Sequence, residues 1–395
     1  MRRMEGAAIR RNPDLLGFRP LDGGPDLPVG DWPEGCPRAR AAGTPTSLAA
    51  IYAPRERRLP PPGARMAEAG DWLPYLRWDG MGEGGTPLIE LRAPDSLGSL
   101  AVKAEWMNPT GSHKDRMSPL VLARAREIGA RGVVCASSGN AGVSLAAYAA
   151  RAGLECCVVV TPAVPDAVRR ALHAHGARVL GAHDSTARWT VAARLAAEGW
   201  YPATNHALPA VGSSAWGVEG YRTLAFEIAA AMSDGVDAIF VPTARGDTIW
   251  GLATGFAALR EAGLSRHAVP RLIAVEPFPR LTAVLAGRAR ITDVFSGNTR
   301  QASTAGATTT DQALRAVRES GGAAIVVDDA EAEAAQAALA ARHGLFLELC
   351  AAACFAALPR AANLLPDGAR VVLIGTSAGM RDTATAPPPL LEMAA

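Results

Sequence analysis

An α/β fold is predicted, with a mostly parallel sheet covered on both faces. Three observations point to it. From about residue 98 onward, short apolar or β-branched runs alternate with Ala-rich helical stretches. Most of the intervening helical stretches reach ten or more residues, long enough to carry a crossover between parallel strands. Apolar residues make up 49% of the 395, enough to bury a sizeable core.

The strands expected are residues 99–104, 132–136, 155–160, 177–180, 238–242, 272–276, 323–327 and 371–374. A helix is expected over 141–151, directly after the second of these. Cys350 and Cys354, four apart in an Ala-rich run, read as one face of a core helix. Residues 1–75 are rich in Pro, Gly and Arg, show little periodicity, and read as an irregular N-terminal arm lying over a body of 76–395.

Charge and composition exclude several function classes. Forty Lys+Arg against 38 Asp+Glu leave +2, too little for a general field toward nucleic acid or an anionic membrane. Aromatic residues at 5% argue against a stacking platform for single strands. The longest apolar runs, such as 156–160, are too short to span a bilayer. The basic start, Met1-Arg2-Arg3-Met4-Glu5, leads into Arg10, Arg11 and Asp14 rather than an apolar stretch, so no signal peptide is expected. Six cysteines without a C-x-x-C pair read as buried thiols in a reducing, cytoplasmic setting, with no metal site.

In open α/β sheets, ligands sit where strand carboxyl ends feed helix amino ends. Four such junctions carry unusual polar loops. The first is Asn108-Pro109-Thr110-Gly111-Ser112-His113-Lys114-Asp115-Arg116. Ser112 and Asp115 have capping-box spacing, which would put Lys114 in the first turn of a helix, where free N–H groups disfavour an ammonium. The second, Ser137-Ser138-Gly139-Asn140-Ala141-Gly142, has the small residues of an anion nest. The third, Thr243-Ala244-Arg245-Gly246-Asp247-Thr248, reads as a phosphate cradle, without the G-K-[ST] of a Walker loop. Its Arg245-Gly246-Asp247 also spells an adhesion tripeptide, read as chance. The fourth, Gly375-Thr376-Ser377-Ala378-Gly379, offers hydroxyls to a ring nitrogen. One cofactor would use all four: pyridoxal 5'-phosphate, with an aldehyde, a phosphate, a ring oxygen and a ring nitrogen.

From about Gly82 to Asp382 the chain resembles the tryptophan synthase β-like (fold type II) pyridoxal-phosphate enzymes, and among them is most similar to the threonine synthases. The resemblance rests on Gly82-Glu83-Gly84-Gly85-Thr86-Pro87-Leu88, on the 108–116 segment, and on the 137–142 loop. Cys36-Pro37 and Tyr52 are faintly similar to the amino-terminal arm of threonine synthases. The resemblance implies two α/β subdomains with mostly parallel sheets and the cofactor in the cleft between them, a smaller mobile subdomain near 115–210, and a homodimer. It implies that Lys114 carries the Schiff base and is catalytic, and that Asn140 contacts the ring oxygen. Arg245, Gly246, Asp247 and Thr248 would hold the phosphate through their N–H groups, and Thr376 would face the ring nitrogen. Ser137, Ser138 and Gly139 would bind the substrate carboxylate, and Thr110, Ser112 and Arg116 the leaving phosphate.

Four departures bear on the substrate. His113 stands where threonine synthases usually have Phe, as an acid–base group or as a packed imidazole. Asp247 stands in the phosphate loop where glycine is common, and would repel a phosphate unless it turns away or meets a cation. Gly217 replaces an arginine that grips the substrate phosphate, unless Arg222 or Arg116 substitutes. Glu348-Leu349-Cys350 replaces a Glu-Pro-Ser run. The expected reaction is that of a carbon–oxygen lyase turning O-phospho-L-homoserine and water into L-threonine and phosphate. The alternatives are β-elimination or β-replacement on serine, O-phosphoserine or a related amino acid, and a non-catalytic amino-acid-binding relative.

Overall fold

The computed structural model describes residues 9–382, and the basic start read above lies outside them. Two parallel sheets organise the body. The larger has six strands in the order Ala323–Val326, Arg271–Glu276, Ala238–Pro242, Ala369–Ile374, Leu97–Lys103 and Leu88–Leu91. All neighbours are parallel except the last, which pairs antiparallel at the edge. The smaller has four parallel strands, in the order Arg178–Gly181, Glu155–Val160, Gly132–Ala136 and Trp200–Pro202. The central strands are mostly apolar because both of their faces are covered: every residue of Gly132–Ala136 is buried, and Val371 and Val372 are sealed from solvent.

The expected strands all form, with ends that shift by one or two residues. Trp200–Pro202 escaped the sequence reading because three residues containing a proline carry no period. Cys350 and Cys354 lie buried on the Leu349–Ala357 helix, and all six cysteines are free thiols.

The arm is more ordered than its composition suggested. Leu27–Pro28, Leu15–Pro20 and Leu48–Tyr52 form a three-stranded antiparallel sheet. Its pattern is legible only in part: Leu15 and Phe18 are buried, but Gly17 between them interrupts the alternation. The arm is tied to the body at several points. Trp216 Nε1 donates to the Gly30 carbonyl at 3.0 Å, Ser47 Oγ to the Val211 carbonyl at 2.7 Å, and the Tyr52 hydroxyl to Glu219 at 2.9 Å. Arg124 spans Asp31 while lying 4.3 Å over the Trp216 ring.

All four polar junctions fall at carboxyl ends of parallel strands. Gly132–Ala136 feeds the Asn140–Ala152 helix, and Ala238–Pro242 feeds the Asp247–Glu261 helix. Leu97–Lys103 leads into the 108–116 segment, and Ala369–Ile374 ends at Gly375. Parallel pairing of the last two strands sets their loops side by side. No helix among the described residues is long and apolar enough to cross a membrane.

Candidate active site

Lys114 sits on a single 3-10 turn, His113–Arg116, that two loops and a buried charge cluster hold in place. The His113 N–H donates to the Thr376 carbonyl at 3.0 Å, and Ser377 Oγ donates to the Gly111 carbonyl at 2.9 Å. The fourth junction therefore braces the first. The capping box expected at Ser112 does not form. Ser112 Oγ caps nothing and is buried without a partner. Asp115 turns back to accept from the Thr110 N–H at 2.6 Å, Thr110 Oγ1 at 2.5 Å and Ser144 Oγ at 2.6 Å. The α-helix starts later, at Ser118, where Pro119 suits the first turn.

Arg116 enters a buried cluster of two cations and two carboxylates. Its Nε donates to Glu105 at 2.7 Å and its Nη1 to Glu227 at 2.6 Å, while Lys103 Nζ donates to Glu227 at 2.6 Å. Arg116 is sealed from solvent and its guanidinium is wholly engaged there. Leaving any member of such a cluster unpaired costs several kcal/mol, of order 3–5. Arg116 is thus an anchor for the turn rather than a free ligand for a leaving phosphate.

Within the turn, Ser112, His113, Asp115 and Arg116 are buried, and Lys114 alone is partly open. Its Nζ lies 3.2 Å from the Tyr221 hydroxyl and 5.4 Å from the ring centroid. Burial pushes the Lys114 amine below its ordinary pKa; the carboxylates of Asp247 and Glu348 oppose this shift and the Arg245 charge adds to it. The direction matches the expectation, but the cause is burial and not a helix terminus. Only two of the 40 basic residues are lysine, Lys103 and Lys114. Every other basic residue is arginine, which cannot act as a neutral amine, and Lys103 is committed to Glu227. That count is a sequence signal the motif reading passed over.

His113 is a packed imidazole. Its Nδ1 lies 3.3 Å from the Thr376 carbonyl, its ring is 5.8 Å from that of Tyr221, and burial pushes its pKa well down, so it is neutral. Tyr221 itself, wholly buried, was missed by the sequence reading.

The phosphate loop has the shape of a cradle. Gly246 adopts φ +85°, and a Cβ there would overlap Ala313. It opens the fifteen-residue helix Asp247–Glu261, whose first N–H groups have no helical acceptor. Asp247 does turn away. Its carboxylate accepts from Gln312 Nε2 at 2.6 Å, Ser213 Oγ at 2.6 Å and the Ser213 N–H at 3.1 Å. Thr248 is buried one residue further on.

Asn140 and Thr376 meet through Glu348, another residue the motifs did not flag for a role. Thr376 Oγ1 donates to Glu348 Oε1 at 2.7 Å, and Asn140 Nδ2 to Glu348 Oε2 at 3.0 Å. Ser303 Oγ also donates to that carboxylate, at 3.0 Å. In the carboxylate loop, Gly139 N–H faces Ser137 Oγ at 3.3 Å, and Ser138 Oγ accepts from the Thr161 N–H at 3.0 Å.

Two departures resolve sterically. A Cβ on Gly217 would come within 2.6 Å of Val121 Cγ2 and 2.7 Å of Met117 Cγ, so no arginine fits there. Arg222 does not substitute: its guanidinium pairs with Glu219 at 2.9 Å and donates to the Trp72 carbonyl at 3.1 Å.

A partly open lysine amine beside a neutral phenol, and a glycine-gated N–H cradle, fit the aldehyde and the phosphate of pyridoxal phosphate. Comparison with known proteins agrees. Residues 80–377 match the family described as pyridoxal-phosphate dependent enzyme. The chain is 32% identical to a threonine synthase of Synechocystis over 76% of its length and 78% of the relative. It is 33% identical to one of Methanocaldococcus jannaschii, over 76% of each chain. Among solved structures, O-ureido-L-serine synthase superposes with a TM-score of 0.62 at 26% identity, covering 76% of this chain and 91% of that one. An O-acetyl serine sulfhydrylase from Entamoeba histolytica, at 21% identity and a TM-score of 0.63 over 85% and 93%, shares the fold. The chain belongs to the pyridoxal-phosphate-dependent enzymes of the tryptophan synthase β-like fold.

Proposed function

We propose that this enzyme is a threonine synthase-like carbon–oxygen lyase, with O-phospho-L-homoserine and water as substrates and L-threonine and phosphate as products. One observation carries the reading: a partly open lysine amine of lowered pKa, Lys114, set among loops at the carboxyl ends of the parallel strands. The likeness to threonine synthases over three quarters of the chain supports it.

Pyridoxal phosphate, when bound, supplies an electron-withdrawing ring that stabilises negative charge next to the substrate's α carbon. The rest is the work of this chain's side chains. Lys114 Nζ would hold the cofactor aldehyde, and as a neutral amine it would be the base that accepts the substrate's α proton. A lowered pKa raises its neutral fraction, which for an ordinary lysine near pH 7 is about one in a few thousand. The N–H groups of Gly246, Asp247 and Thr248, with that of Arg245, would hold the cofactor phosphate. Ser137, Ser138 and Gly139 orient the substrate carboxylate. Asn140 and Thr376, both held by Glu348, would address the cofactor's ring oxygen and ring nitrogen. Thr110 is committed to Asp115, so its part is to shape the loop.

The working enzyme in this reading is a cytoplasmic homodimer whose 115–210 segment moves over the substrate. The test is incubation with O-phospho-L-homoserine, with phosphate and threonine both measured. Absence of both products overturns the reading. Gly217, which leaves no arginine at that position, favours a second reading of β-elimination or β-replacement on serine or O-phosphoserine. Pyruvate or a β-substituted product from those amino acids would establish it.

A further inference from the structure

With Gly217 closed to an arginine, and with Arg116 and Arg222 both engaged elsewhere, a substrate bearing a distal acid needs another cation. Two arginines in the site have no acidic partner. Arg188 lies on the Ser185–Ala197 helix and donates only to hydroxyls, to Ser138 Oγ at 3.3 Å and Ser185 Oγ at 3.1 Å. Arg245 opens the phosphate loop, with its guanidinium 5.9 Å from the ring centroid of Trp189, the residue next to Arg188. Neither forms an ion pair with any described residue, and the Nε of each is buried without a hydrogen-bond partner. The nearby acids are used otherwise: Asp184 caps its own helix through the Thr186 and Ala187 N–H groups, and Asp247 faces Ser213 and Gln312.

The two side chains come from different sheet layers. Arg188 belongs to the smaller sheet's layer and Arg245 to the larger sheet's strand end. Burial lowers the pKa of both and the Arg245 charge lowers that of Arg188 further, while the charges of Asp184 and Asp247 oppose the shifts of Arg188 and Arg245 respectively. Thr310 Oγ1 donates to the Arg245 carbonyl at 2.5 Å, and the two residues before it, Thr308 and Thr309, keep buried hydroxyls without partners. Two partly exposed guanidiniums with spare donors and no ion-pair partner make a site for a dianion, because planar guanidinium forks match phosphate oxygens.

We propose that Arg188 and Arg245 form a two-guanidinium receptor for an acidic group at the far end of the substrate side chain, so that the enzyme selects L-amino acids carrying a phosphate or a similar dianion there. The receptor rests on the amino-acid reading above and names the part of the substrate that this reading left without a ligand. Ser138 links it to the carboxylate loop, so one substrate spans both.

Calorimetry on the holoenzyme, whose own cofactor phosphate already fills the 245–248 cradle, tests this. The probes are L-2-amino-5-phosphonopentanoate, which has a methylene in place of the ester oxygen and cannot lose phosphate, and L-norleucine, which lacks the acid. The phosphonate is expected to bind about tenfold or more tighter, and Arg188→Gln is expected to lose about tenfold for the phosphonate and less than about threefold for norleucine. Arg188→Lys should recover part of the loss. Equal affinity of the wild type for both probes overturns the receptor without any variant, and so keeps the test decisive if Arg188→Gln fails to fold. Equal losses for both probes place Arg188 on the α-carboxylate and also overturn it, as does an unchanged phosphonate affinity in Arg188→Gln. Binding of neither probe overturns the amino-acid reading and the receptor together. Tight phosphonate binding without threonine formation overturns the reaction alone and supports the receptor.

Discussion

The Lys114 amine and the Tyr221 hydroxyl lie 3.2 Å apart, and Tyr221 is wholly buried. Burial holds the phenol well above its ordinary pKa, so it is a neutral partner at any working pH and adds no charge beside the amine. Tyr221→Phe removes that partner and leaves the ring in place. One neutral hydrogen bond contributes about 1 kcal/mol, so kcat on O-phospho-L-homoserine should fall by about fivefold to tenfold while coenzyme still binds. Steady-state kinetics at saturating coenzyme read this out. An unchanged kcat would remove Tyr221 from the proton path.

The scarcity of lysine makes the covalent attachment unusually easy to map. Borohydride reduction in the presence of coenzyme should label one peptide, the one containing Lys114, because Lys103 is sealed and paired with Glu227. Lys114→Arg keeps the charge and should abolish both the label and turnover. Mass spectrometry of the digest decides, and a label found on Lys103 would contradict the assignment.

Gly246→Ala tests the cradle. A side chain at φ +85° costs about 1–2 kcal/mol, before the overlap with Ala313 is counted. The variant should unfold at lower urea and bind coenzyme about tenfold more weakly or worse. Equilibrium urea melts and a coenzyme titration by fluorescence measure the two losses separately.

Stability should fall as pH rises from about 4 to about 7. Burial, helped by the Glu348 charge, pushes the Asp382 carboxyl up to about 7. The folded chain then keeps this proton through a range in which the unfolded chain, with a pKa of about 3.9, has released it. Asp382→Asn carries no proton to lose but keeps an oxygen for the Leu349 N–H, now accepted at 2.7 Å. Its urea midpoint should differ less between pH 5 and pH 8 than that of the wild type. An identical difference in both proteins would place the pH dependence elsewhere.

The sequence shows the body clearly because its strands are continuous apolar runs closed by polar loops, a pattern that both-face burial imposes. Gly132–Ala136, Glu155–Val160 and Ala238–Pro242 are legible to the residue for that reason. The arm is not, since two- to six-residue strands carrying Pro and Gly leave no period to count. At the site, residues inside motifs are readable: Lys114, Gly246 and Asn140 stand in their loops. Tyr221 and Glu348 are not, because each reaches the site from a distant stretch and acts through a contact that no local spacing encodes. Arg188 is hidden for the same reason, on a helix whose own sequence reads as an ordinary solvated face. The Ser112 capping box shows the opposite error, a local pattern overridden by tertiary partners for Asp115.

Arg116, two residues beyond the reactive lysine, is bolted into Glu105 from one strand end and Glu227 from a distant helix. A single short turn has little stiffness of its own, so this cluster acts as its foundation. Damage to Glu227, far along the chain, would therefore surface as an amine out of alignment, and an enzyme could keep its colour yet lose its speed.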